Sequence, residues 1–375
     1  MKKILFINLT IFICFVGFMS CDDWTDTEAK GFNTNGKSPE YYENLRKWKA
    51  ETDHDMSFGW FAFWSANGVD LKSSMIGLPD SMHIVSVWGP WLPGSITPEK
   101  RKDMEHVQNV KGTKVIACMF LEYIGQQITE KTDEGRATWG WDPAWKHTGA
   151  GCTNCVSSDP ATRELQIAAI QKFARVIADS VRIGGYDGLD IDYEPQTHNA
   201  AELVSHPENT EELVKELANY FGPKSPNPGT ILAIDGHVNS LTPATVPYLN
   251  YLILQAYNTR YESTLNTNIK MAIDKYSSEG LSKEEVAKKY FVTVNFESYS
   301  PTGGGDFYKY DENGKRYTVN MLQGFAEWQP EYNGEILKKG GYGSYHIEME
   351  YVVANKSGFY PWTRSAIKAV HPPKE

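Results

Sequence analysis

From residue 55 to the end of the chain, short apolar runs of strand length alternate with stretches of helical periodicity, and nothing else in the sequence limits the fold as strongly. The runs are Ser57–Trp64, Met82–Trp88, Lys114–Tyr123, Gly188–Tyr193, Thr230–Asp235, Tyr251–Tyr257, Tyr290–Phe296 and Gly341–Met349. Between the third and fourth, Ile170, Phe173, Ala174, Ile177 and Val181 recur at helical spacing. After the fourth, Asn209 is placed to cap a helix, Glu211 and Glu212 sit in its first turn, and Leu213, Leu217 and Phe221 form its inner stripe. Pro98-Glu99 opens a helix before the third run, and the last helix follows Pro361 through Ala366 to Val370. Eight strands alternating with helices over roughly 250 residues predict an α/β fold, a (β/α)8 barrel formed as a single catalytic domain over residues 55–375. The longest strand-to-helix connections are about Gly125–Pro160 and Ser298–Asn320, on the side where barrel loops shape active sites. Within the second, Gly303-Gly304-Gly305 reads as a flexible loop, since no Lys-Ser/Thr follows to make a phosphate cradle.

The first residues stand apart from this pattern. Lys2 and Lys3 precede an uncharged apolar run from Ile4 to Ser20, the layout of a secretory signal over residues 1–20. Cys21 directly after Ser20 resembles a bacterial lipobox, in which the cysteine is lipidated; a plain signal peptide with an incidental cysteine is the alternative. Asp22-Asp23 resembles the acidic tag of Bacteroides-type surface lipoproteins. The expectation is a lipid anchor in the outer membrane at the cell surface, with residues 21–54 as a tether and N-terminal extension holding a short helix near Tyr41–Lys49.

Net charge is −10, and the body of the chain has no Lys/Arg run, which argues against nucleic acid as a partner. Trp (11) and Tyr (21) are abundant, as in carbohydrate binders whose aromatic faces stack on sugar rings, although an aromatic-rich core would give the same composition. Cys118 lies in an apolar run and reads as a buried small hydrophobe. Cys152 and Cys155 form one CxxC without a second pair, which reads as a local disulfide rather than a zinc site. His198, His206 and His237 have no metal-ligand spacing, so no metal and no cofactor is expected.

The fourth run carries the chemistry. Side chains alternate along a strand, so Asp190, Asp192 and Glu194 share one face while Leu189, Ile191 and Tyr193 face the other. The apolar set suits the wall against the helices, so the acids point into the barrel, with Glu194 nearest the C-terminal rim. Crowded carboxylates push protons onto at least one member, and crowding by Asp192 would hold Glu194 protonated as a general acid. That suits glycosidic cleavage. Asp192 lies on the same side of the scissile bond and is badly placed as a nucleophile, but well placed to orient a substrate's own acetamido group. A metal-binding acid triplet and a solvated edge strand are the alternatives.

Asp187-x-x-Asp190-x-Asp192-x-Glu194 resembles the D-x-x-D-x-D-x-E signature of glycoside hydrolase family 18, which sits on the fourth strand of a (β/α)8 barrel. The resemblance implies Glu194 as acid/base, Asp192 assisting the acetamido group, Asp190 supporting Asp192, and Asp187 in a supporting place. It also implies a retaining, substrate-assisted mechanism, an exception to the two-carboxylate rule. Leu254-Gln255-Ala256-Tyr257-Asn258 ends the sixth run, and its Gln-x-Tyr is more like the endo-β-N-acetylglucosaminidase branch than the Met-x-Tyr of chitinases. There Tyr257 would hydrogen-bond the acetamido carbonyl, with Gln255 and Asn258 as sugar contacts; a buried Tyr with a satisfied hydroxyl is the alternative. Chitinases place a Trp near the end of strand eight, where this chain has Tyr345. Trp88, at the end of the second run, is a candidate sugar platform, or else a wall residue under a loop. Asp235-Gly236-His237 ends the fifth run near the rim and is read as supporting the site from behind the residues that touch substrate. The expected activity is cleavage of the GlcNAc-β1,4-GlcNAc core of N-glycans on GlcNAc-bearing glycoproteins. A chitinase or other N-acetylglucosaminidase, and a non-catalytic glycan-binding barrel, are the alternatives.

Overall fold

In the computed structural model, which describes residues 37–51, 53–146, 152, 154–195, 200–227 and 229–371, all eight apolar runs become parallel strands closed into a barrel. They are β1 (Met56–Phe61), β2 (Ile84–Val87), β3 (Lys114–Phe120), β4 (Gly188–Tyr193), β5 (Ile231–Gly236), β6 (Tyr251–Gln255), β7 (Tyr290–Asn295) and β8 (Gly341–Tyr345). The expected signal peptide, Cys21, Asp22-Asp23 and His198 lie outside the described residues. The chain divides into units 1–43 and 44–375, with the barrel in the second; the expected short helix is Pro39–Ala50. Among the described residues no helix is long and apolar enough to cross a membrane.

Strand alternation sorts the core into two parts. Inward-facing Phe58, Ile84, Ile116, Ala233, Ile253 and Phe291 fill the barrel. Outward-facing residues such as Leu189 and Ile191 pack with the helical stripes, among them Ile170, Phe173, Ile177 and Val181 of Pro160–Gly184. Each such buried side chain contributes about 1.5–3 kcal/mol of transfer free energy. In register, Asp192 of β4 lies between Phe120 of β3 and Asp235 of β5.

Three local expectations are corrected. Asn209 does not cap its helix. Pro207 takes the first helical position of Pro207–Leu217, so His206 becomes the cap residue. Buried Asn209 instead donates to the Cys155 carbonyl at 2.9 Å and the Glu202 carbonyl at 2.7 Å. The eighth run stops at Tyr345 because His346 adopts a left-handed φ of 56° and a 3₁₀ turn follows. The triple glycine is a packed corner rather than a flexible loop: Gly304 has φ 92°, and a Cβ there would lie 2.8 Å from the Val294 side chain.

Both long connections hold regular elements among the described residues. The one after β3 holds a helical turn at Asp133–Ala137 and a disulfide between Cys152 and Cys155. Buried Arg136 pairs with buried Glu202 at 2.7 Å and ties that loop to the one after β4. The one after β7 forms a hairpin of Asp306–Tyr310 with Arg316–Asn320. Gln126 and Gln127, at the start of the first, line the C-terminal mouth of the barrel, which opens into a cavity of about 580 Å³. A larger cavity of about 770 Å³ lies at the opposite end, lined by the strand starts and by Lys49, His54 and His83. Barrel enzymes carry their chemistry at the C-terminal end, and here the acid ladder opens there.

Candidate active site

Strand periodicity places the acids as expected. Asp190 is fully buried, Asp192 is 4% exposed, and Glu194, one step past the end of β4, is half-buried at the mouth. Asp192 and Glu194 line the cavity with Gln255 and Tyr257 from the end of β6, Trp88 from the end of β2 and Tyr345 from the end of β8. Tyr345 is the hub of the aromatic side. Its ring stacks on Tyr257 with centroids 6.0 Å apart and planes 25° apart, and meets Trp88 edge-on at 5.9 Å and Trp60 at 6.1 Å. Such a floor presents flat apolar faces with hydroxyls at their edges, a surface suited to a pyranose ring.

Two residues of the expected site lie elsewhere. Asp187 precedes β4, with odd parity relative to the acids, at the far end of the barrel. It accepts from Val115 N at 2.9 Å, Gln108 Nε2 at 2.9 Å and Lys114 Nζ at 3.1 Å, and so supports the strand starts rather than the catalytic acids. Asn258 is exposed and is not among the residues that line the cavity; its parity is opposite to that of Gln255 and Tyr257.

Several site residues escape a reading of β4 and β6 alone. Asp190 Oδ2 accepts from Trp60 Nε1 at 2.9 Å and from Ser86 Oγ at 2.8 Å, so β1 and β2 hold the base of the acid ladder. Asp235 of β5, 1% exposed, accepts from Gln255 Nε2 at 2.9 Å, and the same amide reaches Asp192 at 3.5 Å. Cys118 is buried, as expected, but faces inward, with its Sγ 3.9 Å from Asp235. Phe120, Gln126 and Gln127 complete the rim on the β3 side. Gly236 shapes the edge by Glu194. With φ 93°, it sits where a Cβ would come within 2.5 Å of the Tyr193 carbonyl and 3.2 Å of Glu194 Cγ.

Crowding in a dry interior shows in the titration of these groups. Burial raises Asp190 to about 6 against the pull of its Ser86 and Trp60 donors. Burial, then the Glu194 and Asp190 charges, push Asp192 well above the carboxylate range. Burial, then Asp190 and Asp192, do the same to Asp235. Like charge thus adds to burial at Asp192 and Asp235. Burial and the nearby Asp235 and Asp192 charges raise the Tyr257 hydroxyl, which stays a neutral hydrogen-bonding group.

A ladder of acids on the fourth barrel strand, opening under an aromatic floor, defines a glycoside hydrolase. The family model for glycoside hydrolase family 18, BT1044-like, matches residues 23–369, and the chain belongs to that family. Among solved structures, selenomethionine BT1044 aligns at TM-score 0.70 with 24% identity, covering 91% of this chain and 95% of that one. An endo-β-N-acetylglucosaminidase from Cordyceps militaris, in complex with fucosyl-N-acetylglucosamine-Asn, aligns at TM-score 0.56 with 22% identity, covering 90% and 97%. Both likenesses are of fold. No curated protein sequence matches the chain.

Proposed function

We propose that this hydrolase cleaves the GlcNAc-β1,4-GlcNAc core of N-glycans internally, leaving one GlcNAc on the protein, by a retaining mechanism in which the substrate's acetamido group is the nucleophile. One observation carries the reading. Among the described residues, every carboxyl lining the cavity comes from β4, the residue just past its end, or β5, and β8, which lies across the closed barrel from β4, supplies Tyr345. The ordinary retaining scheme needs a second carboxylate across the bond, about 5–5.5 Å from the first. With aromatic rings there instead, the sugar must bring its own nucleophile. Glu194 protonates the leaving oxygen and then activates water. Asp192 stabilises the charge that develops on the acetamido nitrogen. Tyr257 holds the acetamido carbonyl in line.

The endo reading over a chitinase rests on Gln255-x-Tyr257 and on Tyr345 at the strand-eight position. The reading also includes place: lipidated Cys21, followed by a polar tether, holds the barrel at the outer membrane surface, facing large external glycoproteins. Mass spectrometry of a glycoprotein with defined N-glycans, before and after incubation, tests the activity. The expected product keeps a single GlcNAc at each occupied Asn. An untouched glycoprotein together with digestion of chito-oligosaccharides would make it a chitinase.

A further inference from the structure

The described residues lining the cavity include three carboxyls, Asp192, Glu194 and Asp235, and no Lys, Arg or His. Asp190 lies directly beneath. Four negative charges so close, with no cation among them, must be relieved by protons. The donors around each carboxyl show where a proton sits. Asp190 Oδ2 takes two hydrogen bonds, from Trp60 and Ser86, which favours its ionised form. Its other oxygen, Oδ1, is buried and meets no hydrogen-bond donor among the described residues. Asp235 is as deeply buried, yet accepts one amide bond, from Gln255, and a weak thiol contact at 3.9 Å. Ligand-type atoms of Asp190, Asp235 and Cys118 lie within 4.8 Å of one another. An orphaned carboxylate oxygen beside a poorly donated carboxyl is the geometry of a shared proton.

We infer that Asp235 is a positioning residue of the hydrolase: it carries the shared proton, donates its O–H to Asp190 Oδ1, and through Gln255 Nε2, 2.9 Å from Asp235 and 3.5 Å from Asp192, holds Asp192 in place beside Glu194. The groups facing Asp235 are Asp190, Asp192 and Glu194 along the β4 ladder, Cys118 from β3, and Gln255 and Tyr257 from β6. Titration agrees with a proton held among these groups: burial and neighbouring carboxylates push both Asp235 and Asp192 well above the carboxylate range, and burial raises Asp190 to about 6. A metal ion would be the other way to balance the cluster. Cys118, Asp190 and Asp235 make a poor set for one, because burial keeps the thiol protonated and Asp190 Oδ2 is already taken by two donors. A neutral Asp235 explains how a carboxylate ladder persists in a dry barrel without a cation.

Difference infrared spectroscopy of the whole protein, wild type against Asp235→Asn at neutral pH, reads the proton directly and needs no substrate. One protonated-carboxyl band should vanish in the variant; a band that persists, or that vanishes instead with Asp190→Asn, overturns the assignment. Kinetics reads the positioning and rests on the proposed activity. Asp235→Ala should lower kcat about 100-fold with little change in KM, as expected for lost alignment rather than lost binding. Asp235→Asn keeps an N–H donor toward Asp190 and should lose about tenfold less. Its alkaline limb should move to higher pH, because the ionisation of Asp235 itself is gone. Equal losses in both variants, or an unmoved limb, overturn the proposal, as does stoichiometric metal in the purified protein. If no N-glycan is cleaved, the infrared result still decides where the proton sits.

Discussion

Trp60 and Asp190, one on β1 and the other on β4, meet inside the barrel, where the indole Nε1 donates to Oδ2 at 2.9 Å. Trp60 also meets Tyr345 at 6.1 Å, so one side chain supports both the acid ladder and the aromatic floor. Trp60→Phe keeps most of the buried area and removes the donor. A hydrogen bond to a charged group contributes about 1.5–3 kcal/mol, so kcat/KM should fall at least about tenfold. The pH dependence should shift as well, because Asp190, freed of a donor, holds its proton more tightly. An unchanged pH profile would mean that the bond is incidental to catalysis.

Glu194 stands at the mouth as the acid/base of the proposed reaction. Glu194→Gln should reduce turnover by about 10²–10⁴-fold while leaving thermal stability and glycan affinity close to wild type. Turnover near the wild-type rate in a folded variant would move the acid/base role to another residue.

Glu350 gives the fold a pH dependence separate from catalysis. Fully buried, it accepts from Trp362 N at 2.8 Å and Thr363 N at 3.1 Å at the start of the last helix, and burial raises it to about 8. Its folded-state value exceeds the unfolded one, so the native state binds the proton more tightly. The associated stability is fully present below the unfolded value of about 4.5 and is lost as pH rises through about 8. Asp190 adds a contribution of the same sign at lower pH. Thermal melts should therefore show Tm falling between pH 5 and pH 9, with a shallower fall in Glu350→Gln. Equal slopes in the two proteins would assign the dependence to other groups.

Cys21→Ala tests the proposed anchor. The variant should leave the membrane fraction and still act on soluble glycoprotein, since no described helix offers a second membrane span. Protease added to intact cells should strip the wild-type protein. Survival of a membrane-bound form would place it facing the periplasm.

The parts of this site that were legible in the sequence are those that depend on one strand. Alternation along β4 puts Asp190, Asp192 and Glu194 on one face wherever the strand sits, and the same parity carries Gln255 and Tyr257. Asp187 shows the limit of a motif: it belongs to the same pattern yet has the opposite parity, and braces the strand starts with Val115 and Gln108. Asn258 has the parity opposite to Gln255 and Tyr257 and does not line the cavity. Trp60 and Ser86 were hidden for another reason, and although Asp235 stood out at the rim end of the fifth run, its contact with Gln255 did not. Trp60 is one of several aromatics in its run and Ser86 one polar position in an apolar run, and only the barrel brings them to Asp190. The triple glycine misled because local composition cannot show that Val294 fills the space above Gly304.

Dependence of rate on the substrate's acetamido group tests the central claim most directly. In a series of aryl glycosides of Manβ1,4GlcNAc, whose GlcNAc takes the reacting place of an N-glycan core, fluorine replaces the acetamido hydrogens one by one, weakening the carbonyl as a nucleophile with little change in size. If that carbonyl attacks the anomeric carbon, with Glu194 as acid and no carboxylate across the cavity, kcat should fall steeply with each fluorine. A flat response, with a sugar trapped covalently on an Asp or Glu side chain, would contradict the account.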